Sequence, residues 1–228
     1  TASDLTSLYR VPAAKIAVIY EGVDEEFQPA TPAQIAAIRT RYSPDRPYLL
    51  MLGTLEPRKN HRLALESLAQ LKAKGYRHRL IIGGGKGWLF APISALVAEM
   101  GLTDDVLFTG YVPAADLPGL YSAADALLMP SQYEGFGFPL LEAMRCGTPV
   151  VCSRASSLPE LAGDAALLID PDDANQLTAA IRQLLDQPEL AATLRQRGFA
   201  QARKFTWQAT ARQTAHLYRE VAKVHGLR

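Results

Sequence analysis

Short apolar runs alternate with helical segments through the middle of this chain, and no other feature constrains its fold as strongly. Each run has four or five residues and is separated from the next by a segment with helical periodicity. The runs span residues 48–52, 79–82, 106–109, 126–129, 149–152 and 165–169. Such alternation predicts an α/β fold with a doubly wound parallel sheet. Ligands of these sheets bind beyond the carboxyl ends of the strands, so we expect the loops there to share one edge.

The two ends of the chain lie outside this alternating region. Residues 1–24 predict a helix at 3–9 and a strand at 15–20, which cannot bury a core and are interpreted as the remnant of a preceding domain. A domain over 25–205 is predicted to follow, and 206–228 is predicted to form a closing helix. The chain ends in three helices with no strand between them, near residues 173–186, 189–203 and 206–224.

Composition limits the partners and the compartment. The formal charge is +1, from 24 basic and 23 acidic side chains, so nucleic acid is not expected as a partner. Only two cysteines are present and no secretory segment is recognised at the start, which predicts a cytoplasmic protein without disulfides. No apolar run approaches the roughly 20 residues that span a bilayer, so any membrane association is expected to be peripheral.

The carboxyl-terminal helices are strongly basic. From Arg195 to Arg228 the chain has eight Lys or Arg and only one acidic residue, Glu220. This pattern fits an ordinary solvated helix face, and it also fits contact with an anionic membrane surface or an acidic partner domain. The four histidines show no spacing typical of metal ligands, and we predict no metal site.

Two carboxylates flank a glycine-rich loop after the predicted strand at 126–129. Glu134 and Glu142 are eight residues apart, and Pro139 suits the first turn of a helix that Gly147 would end. The start of this helix would present free N–H groups for phosphate oxygens, while a carboxylate suits sugar hydroxyls. The pattern predicts a nucleotide-sugar site. The alternatives are solvated or ion-paired glutamates, and glycoside hydrolysis by paired carboxylates.

Three other loops follow strands of the predicted sheet. Arg58 and Lys59 lie in the first, where two cations could stabilise negative charge on a departing diphosphate or could simply be solvated. A glycine cluster over 83–88 would allow close backbone approach to phosphate or sugar, but also suits a flexible turn. In the segment 110–113, backbone groups could meet a base edge. None of these three loops is specific by itself.

Taken together, these segments resemble the donor-binding domain of glycosyltransferase family 4, and especially its mannosyltransferases. The pattern Glu-Gly-Phe-Gly-x-Pro-x-x-Glu-Ala stands at 134–143, and segments 53–60, 110–113, 148–151 and 157–160 follow in the family's order. The resemblance implies a Rossmann-like half of a GT-B enzyme. It also implies retaining transfer of a sugar from a nucleotide diphosphate sugar to an acceptor hydroxyl, with no cofactor and no required metal.

The resemblance assigns roles residue by residue. Glu142 would hold the ribose hydroxyls, Glu134 would lie beside the donor sugar, and Lys59 would stabilise the leaving group. Many members carry an arginine where this chain has Thr54, and Arg58 would take its place. Glu134, Lys59 and Arg58 are therefore the catalytic candidates. The donor-binding candidates are Glu142, Gly53, Thr54, Gly84, Tyr111, Val112, Gly135, Phe136, Gly137 and Phe138.

The same resemblance predicts what this chain lacks. In GT-B enzymes an amino-terminal domain supplies the acceptor site, so this chain alone is expected to bind a nucleotide weakly and to transfer nothing. The closing helices would brace that domain. GDP-mannose is the favoured donor and surface polysaccharide the favoured product, although the residues leave the base, the sugar and the acceptor open. A non-catalytic nucleotide-binding or scaffolding module is the alternative.

Overall fold

The computed structural model describes residues 2–85 and 90–224. Its centre is one sheet of six strands, all parallel, in the order β3-β2-β1-β4-β5-β6. The strands are β1 Tyr48–Leu52, β2 Arg79–Gly83, β3 Val106–Gly110, β4 Ala126–Met129, β5 Val150–Ser153 and β6 Ala166–Ile169. The order reverses between β1 and β4, the switch point where such sheets open a crevice for ligands. The predicted doubly wound sheet is confirmed.

Helices cover both faces of the sheet. They are α1 Ala2–Tyr9, α2 Pro32–Tyr42, α3 His61–Ala73, α4 Phe90–Glu99, α5 Leu117–Ser122, α6 Phe138–Arg145, α7 Leu158–Ala162, α8 Ala174–Asp186, α9 Pro188–Ala202 and α10 Trp207–Val224. Side chains of β1 alternate between two cores. Tyr48 and Leu50 pack in the core under α5, α6 and α7, whereas Leu49 and Met51 pack in the core under α3 and α8. A strand buried on both faces explains the unbroken apolar run.

The predicted strand at 15–20 is wrong. Ala13–Lys15 form a single 3-10 turn, and residues 16–20 continue without strand pairing. The sheet ends at β3 on one side and β6 on the other, so this segment has no neighbouring strand in the described structure. An isolated strand leaves its backbone unpaired, and apolar composition alone does not create a ladder. Val18 is accordingly 55% exposed.

The three closing helices are confirmed. α8 packs on α3, and α9 packs on α6. α10 begins beside residues 20–24. None of the helices in the described ranges combines the length and the apolarity that crossing a membrane requires.

Of the predicted glycine cluster over 83–88, residues 86–88 lie outside the described residues.

Candidate functional site

The loops after β1, β2 and β3 lie side by side at the carboxyl edge of the sheet. The Gly53 amide donates to the Gly83 carbonyl over 2.9 Å, and the Gly84 amide donates to the Gly110 carbonyl over 2.8 Å. Gly84 has φ +144°, and a Cβ there would lie 2.1 Å from the Gly53 carbonyl oxygen. Only glycine fits that position. The predicted convergence of these loops on one edge is therefore observed.

The loop after β1 brings its two cations to the switch point. Pro57–Lys59 form a 3-10 turn, and Asn60 then adopts a left-handed conformation with φ +56°. The side-chain nitrogen Nδ2 of Asn60 donates to the carbonyls of Pro130 (3.1 Å) and Pro171 (2.6 Å), which ties this turn to the ends of β4 and β6. A Cβ on Gly53 would lie 3.0 Å from Lys59 Cε, so glycine leaves room for the lysine side chain.

Glu134, in the loop after β4, meets both cations. Lys59 Nζ lies 2.7 Å from Oε1, and Arg58 Nη1 lies 2.5 Å from Oε2. The side chain of Glu134 is 6% exposed and that of Lys59 11%. Burial raises the pKa of Glu134, but the Lys59 ammonium, the Ser131 hydroxyl and the Arg58 guanidinium together outweigh it and hold that pKa below its usual value. The carboxylate is therefore ionised and already paired.

Three serines fix Glu134 and the loop that carries it, and their role is not predicted from the sequence. Ser131 Oγ donates to Glu134 Oε1 over 2.7 Å. Ser156 Oγ accepts from the Glu134 amide (2.7 Å) and donates to its carbonyl (3.0 Å), and Ser157 Oγ donates to the Phe136 carbonyl over 2.5 Å. Ser156 and Ser157 follow β5, the next strand of the sheet. Their place after a predicted strand was the available signal, because neighbouring parallel strands end at the same edge.

The glycine loop ends where α6 begins. Gly137 has φ +130°, and a Cβ there would lie 3.0 Å from Leu158 Cδ2, so both conformation and space require glycine. Gly135, by contrast, is exposed and borders open space. The rings of Phe136 and Phe138 pack edge to face, with centroids 5.1 Å apart. The predicted helix start after the loop is confirmed, with Pro139 in the first turn.

Glu142 lies in a different electrostatic environment from Glu134. It stands in the second turn of α6, and the Tyr121 hydroxyl donates to its Oε2 over 2.5 Å. Burial raises the pKa of Glu142; the Tyr121 bond counters this, and the charges of Asp24 and Glu26 raise it further. Glu142 forms no hydrogen bond or ion pair with the two cations of the β1 loop in the described structure. The two predicted carboxylates thus face separate groups of neighbours.

The remaining donor-binding candidates differ in their exposure. Thr54 is exposed in the β1 loop, and the side chain of Tyr111 is 81% exposed. Val112 is buried, with 6% exposed, so its side chain is not available to a ligand. Across residues 2–85 and 90–224, no three His, Cys, Asp or Glu side chains cluster as a metal site would require.

Comparison with known proteins decides the family. Residues 36–201, more than half of the chain, match the family described as glycosyl transferases group 1. The chain belongs to this family. Solved structures similar to it are GT-B glycosyltransferases, which agrees with the six-stranded parallel sheet. The family resemblance and the Rossmann-like fold predicted from the sequence are therefore confirmed.

Individual family members show how much of a protein the chain represents. It is 38% identical over 219 residues to the O-antigen chain mannosyltransferase B of Escherichia coli, covering 95% of this chain and 58% of that protein. It is 32% identical over 193 residues to a GDP-mannose-dependent alpha-(1-6)-phosphatidylinositol monomannoside mannosyltransferase of Mycolicibacterium smegmatis, covering 80% of this chain and 50% of that protein. The chain thus spans little more than half the length of such curated relatives.

A solved structure gives the same proportion. An Anabaena protein in complex with UDP superposes with a TM-score of 0.83 at 25% sequence identity. The match covers 93% of this chain and 60% of the other. This group 1 glycosyltransferase chain therefore corresponds to somewhat more than half of such a structure.

Proposed function

We propose that this chain is the donor-binding domain of a retaining hexosyltransferase that uses a nucleotide diphosphate sugar. The observation that supports it most is the meeting of Lys59, Arg58 and Glu134 at the switch point of the sheet. Cations at this edge suit a diphosphate, and an ionised carboxylate between them suits positive charge on a sugar. Of this chain, 95% aligns with one mannosyltransferase, and a structural neighbour was solved with UDP.

In the proposed reaction the bond between the sugar and the diphosphate breaks, a bond forms between the same sugar carbon and the oxygen of the acceptor hydroxyl, and the hydroxyl proton passes to the leaving diphosphate. Lys59 and Arg58 offset the charge that grows on the leaving diphosphate, together with the positive end of α6, so that no divalent metal is required. Glu134 lies beside the sugar and stabilises its developing positive charge. Glu142 accepts a hydrogen bond from a ribose hydroxyl. Its Oε1 is the suited acceptor, because Oε2 already accepts from the Tyr121 hydroxyl. Gly53, Gly84, Gly135 and Phe136 would line the phosphates and sugar.

The whole protein would add what this chain does not contain. We propose that an amino-terminal domain carries the acceptor and that α10 braces it, so that the chain alone binds nucleotide but transfers nothing. GDP-mannose is the proposed donor, because both relatives described above are named as mannosyltransferases and one of them as GDP-mannose-dependent. Synthesis of surface polysaccharide, in the cytoplasm and in peripheral contact with an anionic membrane, is the proposed setting.

Calorimetric titration of the folded chain with GDP, UDP and ADP tests this proposal. We expect heat from at least one nucleotide and the tightest binding for GDP, with no change when EDTA is added. Absence of heat from all three would refute the donor-binding role. In the complete enzyme, Lys59→Ala should lower kcat more than it raises KM, because the lysine charge acts mainly on the departing diphosphate. An unchanged kcat would remove Lys59 from the mechanism.

A further inference from the structure

Two connecting segments cross each other beside the glycine loop. The Val23 amide donates to the Phe205 carbonyl over 3.2 Å, and the Thr210 hydroxyl donates to the Tyr20 carbonyl over 2.7 Å. A Cβ on Gly22 would lie 2.2 Å from the Trp207 amide nitrogen, so the two backbones are in direct contact. The segment 20–24 and the start of α10 therefore form one unit.

Trp207 joins this crossing to the glycine loop. Its indole N–H donates to Asp24 Oδ1 over 2.6 Å, which fixes the plane of the ring. Its ring centroid lies 6.4 Å from that of Phe138, with 31° between the planes. Phe138 packs in turn on Phe136, the second residue after Glu134. A continuous series of contacts thus runs from Asp24 to the loop that carries the proposed catalytic carboxylate.

Filling the hydrophobic core does not explain the contact between Trp207 and Phe138. Trp207 is 44% exposed and Phe138 37%, so neither ring fills the core. Phe136 already has a second partner, the buried ring of Phe205 with its centroid 6.3 Å away. Phe138 is the first residue of α6, whose positive end the proposed function assigns to the leaving diphosphate. The contact with Trp207 is therefore made at the end of the helix that would meet the ligand.

We propose that Trp207 is a positioning residue for donor binding. It holds Phe138, and through it the segment 134–138, in the geometry that receives the nucleotide diphosphate. The inference rests on the proposed function for its ligand, but the coupling between the indole and the loop is independent of any ligand. Because Asp24 and Trp207 lie in the two crossing segments, a movement at the crossing would shift the loop as well.

Hydrogen exchange of the ligand-free chain tests the coupling. We compare Trp207→Ala with Tyr218→Ala, which removes a 71% exposed aromatic ring from the same helix. We expect Trp207→Ala to speed exchange of peptides covering 134–141 and to leave peptides of α3 unchanged, while Tyr218→Ala changes neither. Unchanged exchange across 134–141 in Trp207→Ala would overturn the proposal. If that variant fails to fold, Trp207→Leu replaces it with the same expectations.

Calorimetry with GDP then separates positioning from stability. We expect Trp207→Ala to weaken binding by about two- to tenfold, the range for an aromatic pair, and Trp207→Phe to weaken it less. A lower Tm with unchanged affinity would show a merely structural role and overturn the proposal. If the wild-type chain binds neither GDP, UDP nor ADP while exchange at 134–141 still rises in Trp207→Ala, the proposed function fails and the coupling stands.

Discussion

Glu134→Gln is expected to tighten binding of the free nucleotide diphosphate while lowering turnover of the complete enzyme. In the structure the Glu134 carboxylate pairs with Lys59 at 2.7 Å and with Arg58 at 2.5 Å, so an anionic ligand must compete with it for both cations. Glutamine keeps the size and one acceptor oxygen but removes the charge. The cations are then free for phosphate, whereas positive charge on the sugar loses its counter-ion.

The magnitude follows from the geometry of the cluster. A phosphate oxygen bonded to Lys59 Nζ would lie about 3 Å from it, and Glu134 Oε1 lies 2.7 Å from the same nitrogen. The two anions would be separated by about 5 Å, which costs about 3 kcal/mol per unit charge at an effective dielectric constant of about 20. Solvent in the crevice screens this repulsion, and removing the carboxylate also makes Lys59 and Arg58 less ordered. We therefore expect Glu134→Gln to bind the nucleotide diphosphate about tenfold more tightly.

Glu56→Gln is the matched control for this measurement. Glu56 also pairs with Arg58, at 2.7 Å, but its side chain is 32% exposed against 6% for Glu134. The same loss of one charge should therefore change GDP affinity by less than about threefold. Both variants are titrated calorimetrically with GDP, alongside melting curves that confirm folding. Weaker GDP binding in Glu134→Gln, or equal effects of the two variants, would refute the electrostatic argument.

Two further substitutions probe the neighbours of this cluster. Glu142→Ala should weaken nucleotide binding by about 1.5–3 kcal/mol, the range for hydrogen bonds to a charged group, and unchanged affinity in calorimetry would place Glu142 outside the donor site. Burial and the charge of Lys59 lower the pKa of His61 from 6.5 to about 4. Between these values the unfolded chain takes up a proton that the folded chain does not. The contribution of the neutral ring to stability is therefore complete above pH 6.5 and falls as the pH falls towards 4. Urea unfolding should show that wild type loses about 2 kcal/mol more than His61→Gln between pH 7.5 and 5; equal losses would contradict this assignment.

The fold could be predicted from the sequence because strands that are buried on both faces consist of apolar residues. A strand covered on both faces has no polar positions, so the run at 48–52 gave the bounds of β1 without ambiguity. The run at 15–20 looks similar, but a strand also needs a neighbour, and sequence patterns do not report pairing. The prediction therefore succeeded where six strands support one another and was wrong where one segment stands alone.

The site was predictable to the level of loops but not of contacts. Lys59 meets Glu134 from a turn that is followed by the left-handed residue Asn60, whose side chain reaches carbonyls at residues 130 and 171. The acidic surroundings of Glu142 come from Asp24 and Glu26, residues on either side of the boundary that the sequence analysis drew at 24 and 25. Contacts over such separations follow from the packing of whole elements, which local patterns do not contain.

The geometry of the β1 loop bears on the proposal that Arg58 takes the place of the arginine that Thr54 replaces in this chain. Side chains of successive residues in a 3-10 turn point about 120° apart. Short side chains at positions 58 and 59 would therefore not reach the same carboxylate. Instead Lys59 passes over Gly53 to Oε1 of Glu134, while the longer Arg58 reaches Oε2 and holds Glu56 with Nε. Each carboxylate oxygen thus has its own cation. An arginine at position 54 is not needed for that arrangement, because the second oxygen is already occupied.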